Sequence, residues 1–282
     1  MIKLAISGAA GRMGRAIIRE MDQSGDMKVA AALEHKSCRV IGQDAGLVAG
    51  RDSMGVPISA NISGMAFDVM IDFSNPEAVS EHLEICKLVN AAIVIGTTGL
   101  NESQNQQITE AARHIPVLFA ANTSVGINLC VSLVEMAGKV IGDVTDIEII
   151  ESHHRHKVDA PSGTALLWGE AAASALGKDL SSCGVFSREG HTGERKPGSI
   201  GFSTIRGGDI AGEHTVMFIG DGERIEITHR VTDRKIFAQG AIRAAHWLST
   251  QQKGLFNMQD ALDLGRVFGE AEITLPYVGA NR

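Results

Sequence analysis

Residues 151–165, ESHHRHKVDAPSGTA, place His153, His154, Arg155, His156 and Lys157 in one unbroken run. Cations this close repel one another and gain nothing from packing, so the run calls for a chemical explanation. A zinc site is the first to test. His154 and His156 would share a strand face, but no third ligand lies at a familiar spacing and no HExxH or CxxC occurs. Arg155 and Lys157 would also repel a metal, so none is expected. A solvated loop is the plain alternative on composition alone. On a strand, residues 153, 155 and 157 share a face; on a helix, 153 and 157 do. His153 and Lys157 are therefore expected to project together. Pro161 would stop any helix, and Ser162-Gly163-Thr164 opens a new one whose first N–H groups suit a carboxylate. The stretch reads as an acid/base pair beside an anion pocket.

A second constellation stands at the N-terminus. Gly8, Gly11 and Gly14, in ISGAAGRMGRAI, fall where an apolar strand gives way to a helical pattern. Glycines there let backbone N–H groups and a helix start approach a pyrophosphate without Cβ obstruction. The spacing G-x-x-G-x-x-G departs from the usual G-x-G-x-x-G, and an ordinary tight turn is the alternative. Glu34, closing the second strand, sits where a dinucleotide fold places a carboxylate for the adenosine ribose. NADH should be usable, while Arg12, His35 and Lys36 supply cations for NADPH. Two more strand ends, Gly96-Thr97-Thr98-Gly99 and Ala121-Asn122-Thr123-Ser124, point at the same crevice or are merely connecting loops.

The elements that must position these groups come in two styles. Over the first 125 residues, near-continuous apolar runs (2–7, 29–34, 67–73, 92–98, 116–121) alternate with helical patterns at 13–21, 76–88 and 102–114. Such runs are buried on both faces, which implies a doubly wound parallel sheet in an α/β fold, Rossmann-like. Beyond Ser124 come a helix at 127–141, a strand at 146–151, and a helix at 163–176. Three β-type runs follow (199–206, 214–219, 224–230), separated by GGDIAG and GDGE, turns of the kind that join antiparallel strands. A helix at 237–250 closes the pattern. The expected division is residues 1–125 plus 235–282 for the dinucleotide and 126–234 as an α+β substrate-binding and oligomerisation domain.

The 282 residues carry a formal charge of −7, which argues against general nucleic-acid binding and confines any anion site to a local patch. No apolar run is long enough to span a membrane. The four cysteines form no CxxC pair and read as reduced thiols, so a cytoplasmic protein is expected.

The chain resembles the bacterial 4-hydroxy-tetrahydrodipicolinate reductases (dihydrodipicolinate reductases) of lysine and diaminopimelate synthesis. The resemblance rests on GAAGRMGR at 8–15, DFSNP at 72–76, GTTG at 96–99, NTSVGIN at 122–128 and ESHHRHKVDAPSGTA. RGGDIAGEHTVMF at 206–218 and HRVTDRKIFAQGAIRAAHWL at 229–248 complete it. It implies His153 as proton donor and Lys157 as the partner steadying the substrate. His154, Ser162, Gly163 and Thr164 would hold a small dicarboxylate. Gly8, Gly11, Arg12, Met13, Gly14, Glu34, Gly96, Thr97, Thr98, Ala121, Asn122 and Thr123 would line the NADH or NADPH site. The implied reaction delivers hydride to C4 of a dihydropyridine dicarboxylate, with loss of water from the 4-hydroxy substrate. A homotetramer built through the second domain is implied too. Thr123 stands where many relatives have a bulky apolar residue, and residues 265–282 run past the usual family end. Two rival readings are a non-catalytic NAD(P)-sensing module and another two-domain dehydrogenase, acting on aspartate or homoserine. The intact His153, Lys157 and 162–164 weigh against the first and the long dipicolinate motif against the second.

Overall fold

A computed structural model of the chain describes residues 1–21, 25–62 and 64–268. The chain divides into two units, one built from residues 1–125 and 235–263, the other from 126–234. The described residues from Leu264 onward group with the second unit, whereas the sequence reading ran them with the first. The remainder of the 265–282 segment, from residue 269, lies outside the described residues.

The first unit opens β1 (Ile2–Ser7), α1 (Arg12–Glu20), β2 (Met27–Leu33), α2 (Ala45–Val48), β3 (Ile58–Ser59), β4 (Val69–Asp72), α3 (Pro76–Val89), β5 (Ala92–Ile95), α4 (Glu102–Ala111) and β6 (Pro116–Phe119). The second contains α5 (Val125–Ile141, whose first residue belongs to the first unit), β7 (Asp146–His153), α6 (Gly163–Ala175), α7 (Leu180–Cys183), β8 (Gly184–Val185), β9 (Ile200–Arg206), β10 (Gly212–Ile219) and β11 (Arg224–Val231). The chain then returns to the first unit with α8 (Lys235–Leu248), β12 (Gly254–Phe256) and α9 (Met258–Ala261), before α10 (Leu264–Phe268).

The first sheet runs β12-β6-β5-β4-β1-β2-β3, every pairing parallel. Its strands VMID and AIVI are buried at every residue, as a sheet covered on both faces requires. The chain winds from β1 toward β3, then jumps back across β1 to β4, leaving a switch point between these two strands. Helix starts are locally encoded. Asn75 caps α3 with Pro76 behind it, and Asn101 with Gln104 forms a capping box on α4. α1 differs: Gly11 gives it no side-chain cap, so its first N–H groups are offered outward.

The second sheet is mixed, in order β11-β10-β7-β9-β8. Here one expectation fails. β10 and β11 form the expected antiparallel pair around GDGE, but β9 and β10 are not neighbours. β7 lies between them, antiparallel to β10 and parallel to β9. The reason is α6, which makes β7-α6-β9 a crossover unit and sets β9 parallel beside β7. Residues 207–211 then need only cross two strand spacings, about 10 Å, well within the reach of five extended residues. Trp168 of α6 and Phe202 and Phe218 of the sheet fill this unit's core, with Val131 and Val134 of α5.

Candidate functional site

The basic cluster is built at the end of β7, the central strand of the second unit. His153 is the last residue of β7 and is 9% exposed. The chain then leaves the strand in a turn closed by the Lys157 N–H donating to the His154 carbonyl at 3.1 Å. Residues 153–157 thus follow neither of the two expected geometries. Lys157 comes off the turn and pairs with Asp159 at 2.8 Å, still close enough to act electrostatically on His153.

Beneath His153 lies a polar network. Its Nδ1 meets Glu151 Oε2 at 2.6 Å, and Glu151 is 1% exposed. Arg206 of β9 grips both carboxylate oxygens at 2.8 Å, and the Ser162 N–H donates to Oε1 at 3.0 Å. Ser162 in turn caps α6 through Ala165 N–H and touches His214 Nε2 at 2.8 Å. The His214 ring stands edge-on to His153, with centroids 5.1 Å apart. On the other side of the turn, Arg234 contacts His154 Nε2 at 3.3 Å.

Electrostatics follow from this crowding. Burial pushes Glu151 up, but the hydrogen bonds and charges of Arg206 and His153 overcome it, leaving the carboxyl below its ordinary value. Burial lowers His153, Glu151 raises it, and Lys157 and Arg206 lower it again, for a net depression. Burial drives His214 down to about 3, so it is a neutral imidazole. An anion entering beside His153, Lys157 and the α6 N-terminus would meet cations and helix-start N–H groups, and would favour the imidazolium.

In the first unit, the carboxyl ends of β1, β2, β4, β5 and β6 lie along one edge of the parallel sheet. Gly8 has φ +72°, and a Cβ there would strike the backbone of Phe73. A Cβ on Gly14 would strike the backbone of Gly8, so the loop packs against α1 only with glycine at 14 and against the end of β4 only with glycine at 8. Glu34 lies beside this loop, accepting from Ala10 N–H at 2.9 Å. The fit to a dinucleotide is a bare backbone cradle, an uncapped helix start, and a carboxylate one strand away. Below, Asp72 is fully buried and accepts from His82 (2.7 Å), from the Ser74 N–H (2.9 Å) and hydroxyl (2.6 Å), and from Thr97 Oγ1 (3.1 Å). His82 reaches Ser7 at 3.3 Å, so one buried carboxylate ties together the ends of β1, β4 and β5.

A family model described as dihydrodipicolinate reductase, N-terminus, matches residues 2–123, and one described as dihydrodipicolinate reductase, C-terminus, matches 126–262. The chain belongs to the dihydrodipicolinate reductase family. Its enzyme class is oxidoreductase and its activity the reduction step in lysine and diaminopimelate biosynthesis. Among solved structures, a dipicolinate-bound dihydrodipicolinate reductase from Paenisporosarcina sp. TG-14 is similar at 27% identity and TM-score 0.74, over 92% of this chain and 98% of that one. GenD2 from gentamicin A biosynthesis, in complex with NAD, is similar at 12% identity and TM-score 0.57, over 94% and 91%. A myo-inositol dehydrogenase from Corynebacterium glutamicum is similar at 14% and 0.56, over 94% and 95%. The last two share the fold.

Within this reductase fold, His153, His154, Lys157, Ser162, Gly163 and Thr164 all fall around the end of β7 and the start of α6. The first-unit residues fall after four parallel strands, β1, β2, β5 and β6, with Arg12, Met13 and Gly14 in the first turn of α1, but their side chains differ in what they can offer. Thr98 and Ala121 are exposed. Thr97 is buried against Asp72, and Thr123 is buried with its hydroxyl donating to the Phe237 carbonyl at 2.7 Å. A Cβ on Gly96 would overlap the Phe73 ring. Glu151, Arg206, His214, Asp72, His82 and Arg234 escaped the sequence reading. Glu151 had a local signal, since residues 151 and 153 share a strand face. Arg206 and His214 had none, because they reach Glu151 and His153 only through pairing with β9 and β10.

Proposed function

We propose that this chain reduces 4-hydroxy-tetrahydrodipicolinate to tetrahydrodipicolinate with NADH or NADPH, His153 supplying the proton. The observation that carries the reading is the buried His153–Glu151 pair set beside Lys157 and the α6 N-terminus. A nicotinamide held at the first unit's glycine loop would supply the hydride for ring C4, the 4-hydroxyl leaving as water. Lys157, His154 and the first turn of α6 hold the two substrate carboxylates, and His153 protonates the neighbouring ring carbon. The dipicolinate bound to the Paenisporosarcina relative supports a ligand with two carboxylates. Family resemblance supports a homotetramer assembled through the second unit's sheet and a cytoplasmic location. Among the described residues no helix is long and apolar enough to cross a membrane.

The test is consumption of NADH or NADPH by the purified protein, with substrate formed in situ from pyruvate and aspartate semialdehyde. Loss of nicotinamide absorbance that requires both precursors is expected, as is its inhibition by pyridine-2,6-dicarboxylate. Absence of turnover with either cofactor would end this reading.

Cofactor choice gives a separate expectation. Glu34 can accept from ribose hydroxyls and disfavours a 2′-phosphate, while His35 and Lys36 next to it offset that repulsion. Both cofactors should therefore serve, and Glu34→Ala should raise KM for NADH more than for NADPH. A preference for NADPH beyond about a thousandfold, roughly 4 kcal/mol, in steady-state kinetics would contradict dual use.

A further inference from the structure

Glu151 receives more donors than its position on a strand requires. His153 Nδ1 and one Arg206 nitrogen meet Oε2, at 2.6 and 2.8 Å. The second Arg206 nitrogen (2.8 Å), the Ser162 N–H (3.0 Å) and Thr204 Oγ1 (3.3 Å) meet Oε1. A guanidinium and a backbone N–H can only donate, so this carboxyl must be ionised and purely accepting. The ring nitrogen that faces it must then carry the hydrogen. That fixes His153 with Nδ1–H turned into the protein and Nε2 on the far side. There the neighbour is Gly212, where a Cβ would stand 3.1 Å from Nε2.

We propose that Glu151, clamped by Arg206, is a positioning residue: it fixes the ring orientation and tautomer of His153 so that Nε2 is the atom that hands over the proton. This rests on His153 being the proton donor. The charged and titratable groups facing the ring are Glu151 on β7, Arg206 on β9, His214 on β10 and Lys157 on the turn, the last paired with Asp159. Glu151 alone among them favours the imidazolium; Arg206 and Lys157 oppose it. A side chain at 212 would crowd Nε2, which glycine avoids.

Glu151→Gln separates this role from simple support. Three donors demand the amide oxygen at the Oε1 place, which leaves the NH2 group facing His153 Nδ1. The ring must then accept at Nδ1 and hold its hydrogen on Nε2, and the imidazolium loses its partner. We expect kcat to fall about 10²-fold or more, the scale of general acid catalysis, with KM for NADH little changed. An acid must be protonated to act, so activity declines as pH rises through the His153 pKa. Removing the Glu151 charge lowers that pKa, and the alkaline decline of kcat/KM should move to lower pH. Glu151→Asp, which keeps the charge, should restore the position of that decline in part.

Ring nitrogen NMR on the unliganded protein, with His153 assigned from the signal lost in His153→Gln, reads the tautomer without turnover. Above its titration midpoint, wild-type His153 should carry hydrogen on Nδ1. The opposite tautomer in the wild type overturns the proposal even where Glu151→Gln does not fold, as does an unmoved His153 midpoint in Glu151→Gln. If the tautomer is as stated but His153→Gln keeps wild-type kcat, the donor reading fails and the structural assignment of Glu151 stands.

Discussion

His153→Gln should lower kcat by about 10²–10⁴-fold, the contribution of a positioned general acid, while NADH affinity changes little. Glutamine approximates the length of the side chain and can still hydrogen-bond, but it has no proton to give to a ring carbon. The residues proposed for the cofactor belong to the other unit, so the loss should fall on the chemical step. Because burial, Lys157 and Arg206 depress the free His153, the wild-type kcat/KM should decline as pH rises through a value below that of an ordinary imidazole. A dianionic substrate opposes that depression, so the same decline in kcat should sit at higher pH. The variant should lack both declines. Near-native kcat in His153→Gln across the pH range would place the proton donor elsewhere.

Asp72→Ala should cost about 3–5 kcal/mol of folding stability, because it removes one partner of the buried Asp72–His82 pair together with the shared acceptor of Ser74 and Thr97. Chemical denaturation should show this as a lower midpoint with an unchanged slope. Burial alone would raise the Asp72 carboxyl, but hydrogen bonds from His82 and Ser74 and the charge of His82 bring it below its ordinary value. A group depressed in the folded state adds stability above its unfolded pKa, about 3.9, and loses it as pH falls through the folded value. The wild type should therefore lose stability on acidification, and Asp72→Asn should flatten that acid limb. Since the same carboxylate ties the ends of β1, β4 and β5, NADH should also bind more weakly to Asp72→Asn. A denaturation midpoint equal to wild type in Asp72→Ala would show that the cluster adds no stability.

Much of this molecule is legible from local sequence. Runs such as VMI and AIVI between helical patterns specify a parallel sheet, because strands covered on both faces read as near-continuous apolar runs. Glycine at 14 is demanded by backbone packing within a few residues and glycine at 8 by its own positive φ, and Asn75, Asn101 and Ser162 mark helix starts through bonds three residues long. The short strands Ile58–Ser59 and Gly254–Phe256 escape, since two or three residues carry no periodicity and are strands only by the neighbour they join. The order of the second sheet escapes for a related reason. Hairpin-like glycine turns are local signals, whereas β7 comes to lie between β9 and β10 through an α6 crossover that buries apolar faces far apart in sequence. That tertiary choice sets His153 against Arg206 and Glu151 against His214. The sequence by itself determined that an imidazole and an ammonium lie four residues apart where a strand gives way to a turn. Only the folded sheet decided which nitrogen of that imidazole is held inward, because the groups that hold it arrive from other strands.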